Sequence, residues 1–235
     1  MRWLMIMFFN NILILSPHPD DECIGCGGLI GWAKKNRIKT SILYFSYVLL
    51  GVDSVRQANG NFTTTEDRIE EIKKVSEFGN LSYTLPPKGW FYDYRLNNEL
   101  IKYIENEIEY IKPDLVCIPF QNSYNQDHRK VFDAAYAALR PIPKNMKHFV
   151  NCVLEYEEPY SWTVGENFKP TFYLPMTKED CNFKLELIKL HNSQMRSDPY
   201  SRSVENLERI SKIRGAEIGI KYAEAYKIHR MVQNV

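Results

Sequence analysis

The chain has 235 residues, 44% hydrophobic and 25% charged, enough to bury a sizeable core and without the biased composition of a disordered segment. Its formal net charge of +1 gives no electrostatic basis for binding nucleic acid. The count of 5 cysteines allows no complete pairing, so free thiols in a reducing compartment, the cytoplasm, are expected.

Met1 to Phe9 is apolar and resembles the core of a signal peptide. It runs through Asn10 and Asn11 straight into a strand, however, with no small-residue cleavage site, and is too short to span a bilayer. A structural extension or surface apolar patch is expected there, and no transmembrane segment. Ile12 to Leu15 has the length and β-branched content of a buried strand. Ser16-Pro17-His18-Pro19-Asp20-Asp21-Glu22 follows, then the glycine-rich Gly25-Cys26-Gly27-Gly28 and a helix through Leu29, Ile30 and Trp32. The polar stretch thus falls at a strand end, the edge of an open α/β sheet where ligands bind.

Pro17 and Pro19 stiffen the loop around His18, which suits a metal ligand. Neighbouring carboxylates in an extended segment point in different directions, so one of Asp20 and Asp21 can bind a metal while the other faces water. An imidazole and a carboxylate are two ligands of an open zinc site, and a third is needed from elsewhere. Glu22 either orients a ligand or is a first-turn carboxylate stabilised by the helix dipole alone. The glycines are expected to let the backbone approach the loop and turn sharply into the helix, since they lack both the Walker lysine and the full dinucleotide fingerprint. Cys23 and Cys26 have no second CxxC to complete a thiolate site and read as small packing residues.

Thr40 to Phe45 reads as the second strand. Gly51 to Thr64 is polar and poorly periodic, a candidate substrate loop or lid. A helix is predicted over Thr65 to Phe78, with Ile69, Ile72 and Val75 on its core face; Arg68 on it is either a solvated residue or a substrate contact. Leu100, Ile104, Ile108 and Ile111 recur at helical spacing and stop before Pro113. The strand Leu115 to Ile118 precedes Asn125-Gln126-Asp127-His128 and a helix from Asp127 to Leu139. Again a histidine and a carboxylate lie just past a strand, and parallel strands can bring such ends together, so His128 is the candidate third ligand. Asp127 either caps the helix or orients a ligand. Val153-Leu154 and Thr171 to Leu174 read as strands, Glu179 to Leu190 and Val204 to Tyr226 as helical, and His148, His191 and His229 as structural residues. No repeat or low-complexity linker divides this alternation, which predicts one α/β domain over residues 1–235: a Rossmann-like doubly wound sheet, mostly parallel, with helices on both faces.

His18 to Glu22 with its glycine-rich continuation, and Asn125 to His128, resemble the two motifs of the LmbE/PIG-L family of zinc-dependent N-deacetylases, in the form found in glycan biosynthesis. Arg68-x-x-Glu71, His191-Asn192-Ser193-Gln194 and the stretch from Arg214-Gly215 to Tyr226 extend the resemblance over nearly the whole chain. It implies His18, Asp21 and His128 as ligands of one Zn2+, Asp20 as general base and Arg68 as a substrate contact. Asn125 departs from the family pattern, which most often has histidine there. An amide cannot titrate, but it can donate to a developing oxyanion, which makes Asn125 a candidate catalytic donor and leaves proton delivery to Asp20. Two imidazoles and a carboxylate also suit Fe2+.

The expected activity is removal of the N-acetyl group from an amino sugar, free, nucleotide-linked or glycan-linked, giving acetate and an amine. A small-molecule or glycan substrate is the partner implied, and the oligomeric state is left open. Two other classes compete: a non-catalytic sugar- or nucleotide-binding module whose site has degenerated at Asn125, and a thiol oxidoreductase using Cys23 and Cys26. The intact set of His18, Asp20, Asp21 and His128 argues against both.

Overall fold

A computed structural model describes residues 9–47, 54–56 (backbone), 62–87, 98–159 and 167–232. Seven strands form the main sheet in the order β5-β2-β1-β6-β7-β9-β8. Five run parallel: β1 (Asn11–Ser16), β2 (Lys39–Tyr44), β5 (Ser82–Thr84), β6 (Leu115–Pro119) and β7 (Cys152–Tyr156). At the far edge β9 (Tyr222–Met231) pairs antiparallel with both β7 and β8 (Phe172–Met176).

Period-two alternation along the strands sorts their side chains between two cores. Ile12, Ile14, Ile42, Tyr44, Leu115 and Cys117 pack with α1 (Asp21–Lys35), α2 (Thr65–Gly79), α5 (Lys178–Lys189) and α6 (Val204–Ala216). Their neighbours Leu13, Leu15, Leu43, Val116 and Ile118 pack with α3 (Asn98–Ile111) and α4 (Gln126–Ala138) on the opposite face. The mostly parallel sheet covered by helices on both faces is as predicted. Helix ends follow local chemistry. Thr64 and Asp67 make a reciprocal capping box for α2, Thr177 and Asp180 another for α5, and α3 stops at Ile111, two residues before Pro113.

Two expectations are corrected by tertiary packing. The helix predicted over Val204 to Tyr226 ends at Ala216; the chain reverses through Gly219 (φ 75°) and the remainder is the start of β9. Its alanines and glutamate favour helix locally, but the slot between β7 and β8 requires a strand, and Tyr222 and Tyr226 fill the core below it. The glycines of 25–28 make no turn: helix α1 already begins at Asp21, and they lie inside it. They are needed for close approach, since a Cβ at Gly25 would run into the Tyr156 ring and one at Gly28 into Met176 and Glu224. Within Gly51 to Thr64, the candidate substrate loop or lid, the described part is an antiparallel pair, β3 (Ser54–Arg56) and β4 (Phe62–Thr64). The apolar start, Met1 to Phe8, and the rest of 51–61 lie outside the described residues. Among the described residues, no helix is long and apolar enough to cross a membrane. All five cysteines are buried and unpaired.

Candidate active site

Strand order reverses between β1 and β6: β2 and β5 extend the sheet to one side, β7 and β9 to the other. At such a switch point the loops leaving neighbouring strands diverge and open a crevice. The loop after β1 carries His18 to Glu22, the loop after β6 leads to Asn125–His128, and Glu157 and Glu158 lie just past β7.

The first loop is tightly held. The single hydroxyl hydrogen of Ser16 is shared between the His18 carbonyl (2.7 Å) and Glu22 Oε2 (2.8 Å), and the His18 amide donates to Asp21 Oδ2 (2.8 Å). Nδ1 of His18, Oδ2 of Asp21 and Nε2 of His128 then converge. His18 Nδ1 is 3.3 Å from both other atoms, and Asp21 Oδ2 is 3.0 Å from His128 Nε2. The outward nitrogen of each ring faces a carboxylate. His18 Nε2 donates to Asp127 Oδ2 at 3.1 Å, and His128 Nδ1 lies 2.7 Å from Glu158 Oε2. A carboxylate on one ring nitrogen keeps the proton there and turns the other nitrogen's lone pair inward. Three candidate ligand atoms therefore face one another across 3.0–3.3 Å, close to the edge of a tetrahedron whose ligands stand about 2.0–2.1 Å from a central ion. The donor set fits a divalent cation.

Electrostatics point the same way. Burial would raise the Asp21 carboxyl, but the His128 and His18 imidazoles overcome it and hold Asp21 far below the ordinary carboxylate range. Burial works against charge on His128 too, yet Asp21 and Glu158 push its pKa up to about 10. Carboxylates thus dominate the cage and favour positive charge in it.

Asp20, next in sequence to a cage residue, has a different setting. Its backbone takes φ 137°, a conformation that non-glycine residues hold only when the surroundings impose it. Its amide donates to Glu22 Oε2 (3.1 Å), and Arg202 Nη1 donates to its Oδ2 (3.0 Å). Burial first and the neighbouring Asp21 charge second raise the Asp20 pKa, opposed by Arg202, Arg68 and His191. Arg68 is buried beside the same loop, with Nη2 donating to the Pro19 carbonyl (3.2 Å) and Nε without an acceptor among the described residues.

Glu22 is fully buried and accepts from Ser16 Oγ (2.8 Å), Tyr44 OH (3.0 Å), the Asp20 amide and Cys23 Sγ, and pairs with His191 Nε2 at 2.7 Å. Of the two readings of Glu22, its contacts favour fixing the loop over a bare dipole effect. Asn125 caps α4, its Oδ1 accepting from the Asp127 amide (2.9 Å), so its Nδ2 remains as the donor.

Sequence reasoning missed Glu158, although an acidic pair just past an apolar strand carries the same signal that marked His18 and His128. It missed Arg202, which no motif marks. It also set His191 aside as an ordinary structural residue, whereas the structure buries it against Glu22 beside the site, with Ser193 two residues on donating twice to Glu71 (2.6 Å from both N and Oγ). The motif fragments Arg68-x-x-Glu71 and His191 to Gln194 are thus in contact.

Residues 13–139, more than half of the chain, match the model of the family described as PIG-L: GlcNAc-PI de-N-acetylase. The probable N-acetyl-alpha-D-glucosaminyl L-malate deacetylase 2 of Bacillus anthracis is 27% identical over 223 residues, spanning 85% of this chain and 92% of that protein. The conserved protein TT1542 of Thermus thermophilus superposes with a TM-score of 0.75 at 22% identity, covering 97% of this chain and 98% of that one. The N,N'-diacetylchitobiose deacetylase of Pyrococcus horikoshii does so with a TM-score of 0.70 at 19% identity, over 94% of this chain and 84% of that one. The matched segment contains both loops that build the cage, and the chain belongs to the PIG-L family of LmbE-like deacetylases.

Proposed function

We propose that this protein is a metal-dependent hydrolase, zinc being the preferred ion and Fe2+ the alternative, that removes the acetyl group from an N-acetylated amino sugar, free or conjugated. The observation that carries this reading is the triangle of inward lone pairs on His18, Asp21 and His128, with Asp20 beside it. Family membership supports amide hydrolysis as the reaction, and the deacetylase names of the relatives support an N-acetyl sugar as the substrate.

His18, Asp21 and His128 would hold the ion. When bound, it supplies Lewis acidity and lowers the pKa of a coordinated water to about 7. Asp127 and Glu158 keep the two imidazoles in the ligating tautomer. Asp20 takes the proton from the attacking water at Oδ1, the oxygen that Arg202 leaves open, and returns it to the departing amine nitrogen. Burial raises the basicity of its carboxylate for that task. Asn125 Nδ2 donates to the carbonyl oxygen as charge develops on it. Arg68, buried next to Asp20, orients the sugar. The buried, unpaired cysteines fit a cytoplasmic setting, and their burial, which pushes the Cys23 and Cys26 thiols well above the ordinary range, speaks against thiol redox chemistry.

The test is release of acetate from N-acetylhexosamines and their nucleotide, lipid and small-acid conjugates by zinc- or iron-loaded protein. Hydrolysis of at least one class that chelation abolishes and metal restores is the expected result. Ligand binding without acetate release from any class would favour the non-catalytic alternative.

A further inference from the structure

Arg202 lies far from the motifs in sequence, in the segment between the 3-10 turn at Asn192–Gln194 and helix α6, yet its guanidinium reaches the residue read above as the base. Asp20 is 2% exposed, and its side chain accepts no cap bond from the helix it precedes. Among the described residues that side chain's only hydrogen-bond partner is Arg202 Nη1, on Oδ2 at 3.0 Å, and Oδ1 has none. A buried carboxylate normally gathers donors on both oxygens, and one left open marks where another molecule is received.

The arm that carries Arg202 is itself braced. Asn206 Nδ2 donates to the carbonyls of Pro199 (3.0 Å) and Tyr200 (2.8 Å), and the buried Ser203, next to Arg202, caps α6. The guanidinium also stands 5.8 Å over the Tyr200 ring. The donor is therefore delivered by a fixed element, while Glu22 fixes the Asp20 backbone from the other side. With backbone and Oδ2 both tied, the Asp20 carboxylate has one orientation, and Oδ1 is its only reactive face.

We infer that Arg202 is a positioning residue: by occupying Oδ2 of Asp20 it sets the carboxylate plane so that Oδ1 meets the attacking water. The inference rests on the deacetylase reading for the reaction it serves, while the pairing stands on geometry alone. It makes Arg202 necessary for turnover and dispensable for metal binding, because none of its described contacts reaches His18, Asp21 or His128.

The experiment compares Arg202→Ala, Arg202→Lys and Asp20→Asn as single changes, together with the double change of Arg202→Ala and Asp20→Asn. Arg202→Ala should keep the wild-type metal content and lower kcat by about ten- to a hundredfold, the scale of a displaced catalytic group, with KM changed less than about threefold. Guanidinium chloride at millimolar concentration should restore part of the rate in Arg202→Ala and none in Asp20→Asn, and Arg202→Lys should fall between. In the metal-free protein each single change should lower the melting temperature, and the double change by less than their sum, because each single leaves one charge buried without its partner. A raised KM with unchanged kcat would make Arg202 a substrate contact and overturn the proposal, as would additive melting shifts. If the wild-type protein releases acetate from no substrate, the deacetylase reading fails while the melting cycle still decides the pairing.

Discussion

Glu224 and Asp20 are both buried carboxylates against helix α1, one at its middle and one at its N-cap, and they are treated in opposite ways. Glu224, on β9, accepts from the Gly28 and Leu29 amides (2.9 and 2.8 Å), from Lys184 Nζ (2.7 Å) and from Tyr226 OH. Among the described residues, Asp20 has a single donor to its side chain, and its backbone is strained. Saturated with donors and paired to a buried lysine, Glu224 is an anchor that ties α1, α5 and β9 together. Asp20 is held in place but left incomplete, as a group must be if it is to accept a proton during each cycle. Burial alone therefore does not distinguish these two carboxylates. The count of donors does.

The comparison predicts that changes around the cage abolish function without unfolding the protein, and that changes around Glu224 do the reverse. The largest effect on activity is expected for His18→Ala and His128→Ala: metal content, measured by atomic emission, should drop from about one ion per chain to near zero, with hydrolysis lost alongside it. Full occupancy in either variant would remove that residue from the ligand set. Asp20→Asn should keep the metal and lose roughly a hundred- to ten-thousandfold in kcat, since the amide cannot take the proton. Asn125→Asp preserves the cap of α4 while removing the donor, and should reduce kcat by about a hundredfold with the metal retained. Wild-type turnover in that variant would show that the amide has no part in the reaction.

On the other side of the comparison, Lys184→Met leaves the Glu224 charge buried without its cation. Loss of about 3–5 kcal/mol in urea unfolding is expected, with the kcat of the folded fraction unchanged. A normal stability would mean that the two amides and the tyrosine suffice for Glu224.

The smallest effect sharpens the contrast between Glu224 and Glu22. Glu22 is paired with His191, whose pKa is raised from 6.5: burial opposes the charge, but Glu22 outweighs it, aided by Asp20 and Glu71. A raised folded-state pKa means that the contribution of the His191 proton is fully present below pH 6.5, while Glu22 stays ionised, and is lost as pH climbs through the raised value. Unfolding of the metal-free protein followed over that window should show a fall in stability that His191→Gln flattens. An unaltered slope would show that His191 stays neutral.

The local features of this protein were legible in its residues because each depends on short-range chemistry. The strand at Ile12 to Leu15, the proline-braced histidine, the paired aspartates and the second histidine just past β6 are marked by side-chain type and spacing alone. Parallel strands then make the meeting of His18, Asp21 and His128 predictable. Tertiary structure decided what those residues face. Asp127 lies next to His128 in sequence but serves His18, while His128 is served by Glu158 from the adjoining strand end, and no periodicity encodes that exchange. The segment at Tyr222 to Tyr226 has helix-forming residues and became a strand because two neighbouring strands needed a partner between them. The glycines of α1 read as a turn, yet they are a packing surface, since the rings and chains that press on them come from β7, α5 and β8. Arg202 is the extreme case: 182 residues from Asp20, with no motif around it, it joins the site only because the arm before α6 brings its guanidinium back to the loop that follows β1. A side chain's identity is fixed by the sequence, but its partner is fixed by which elements the core brings to the same edge of the sheet.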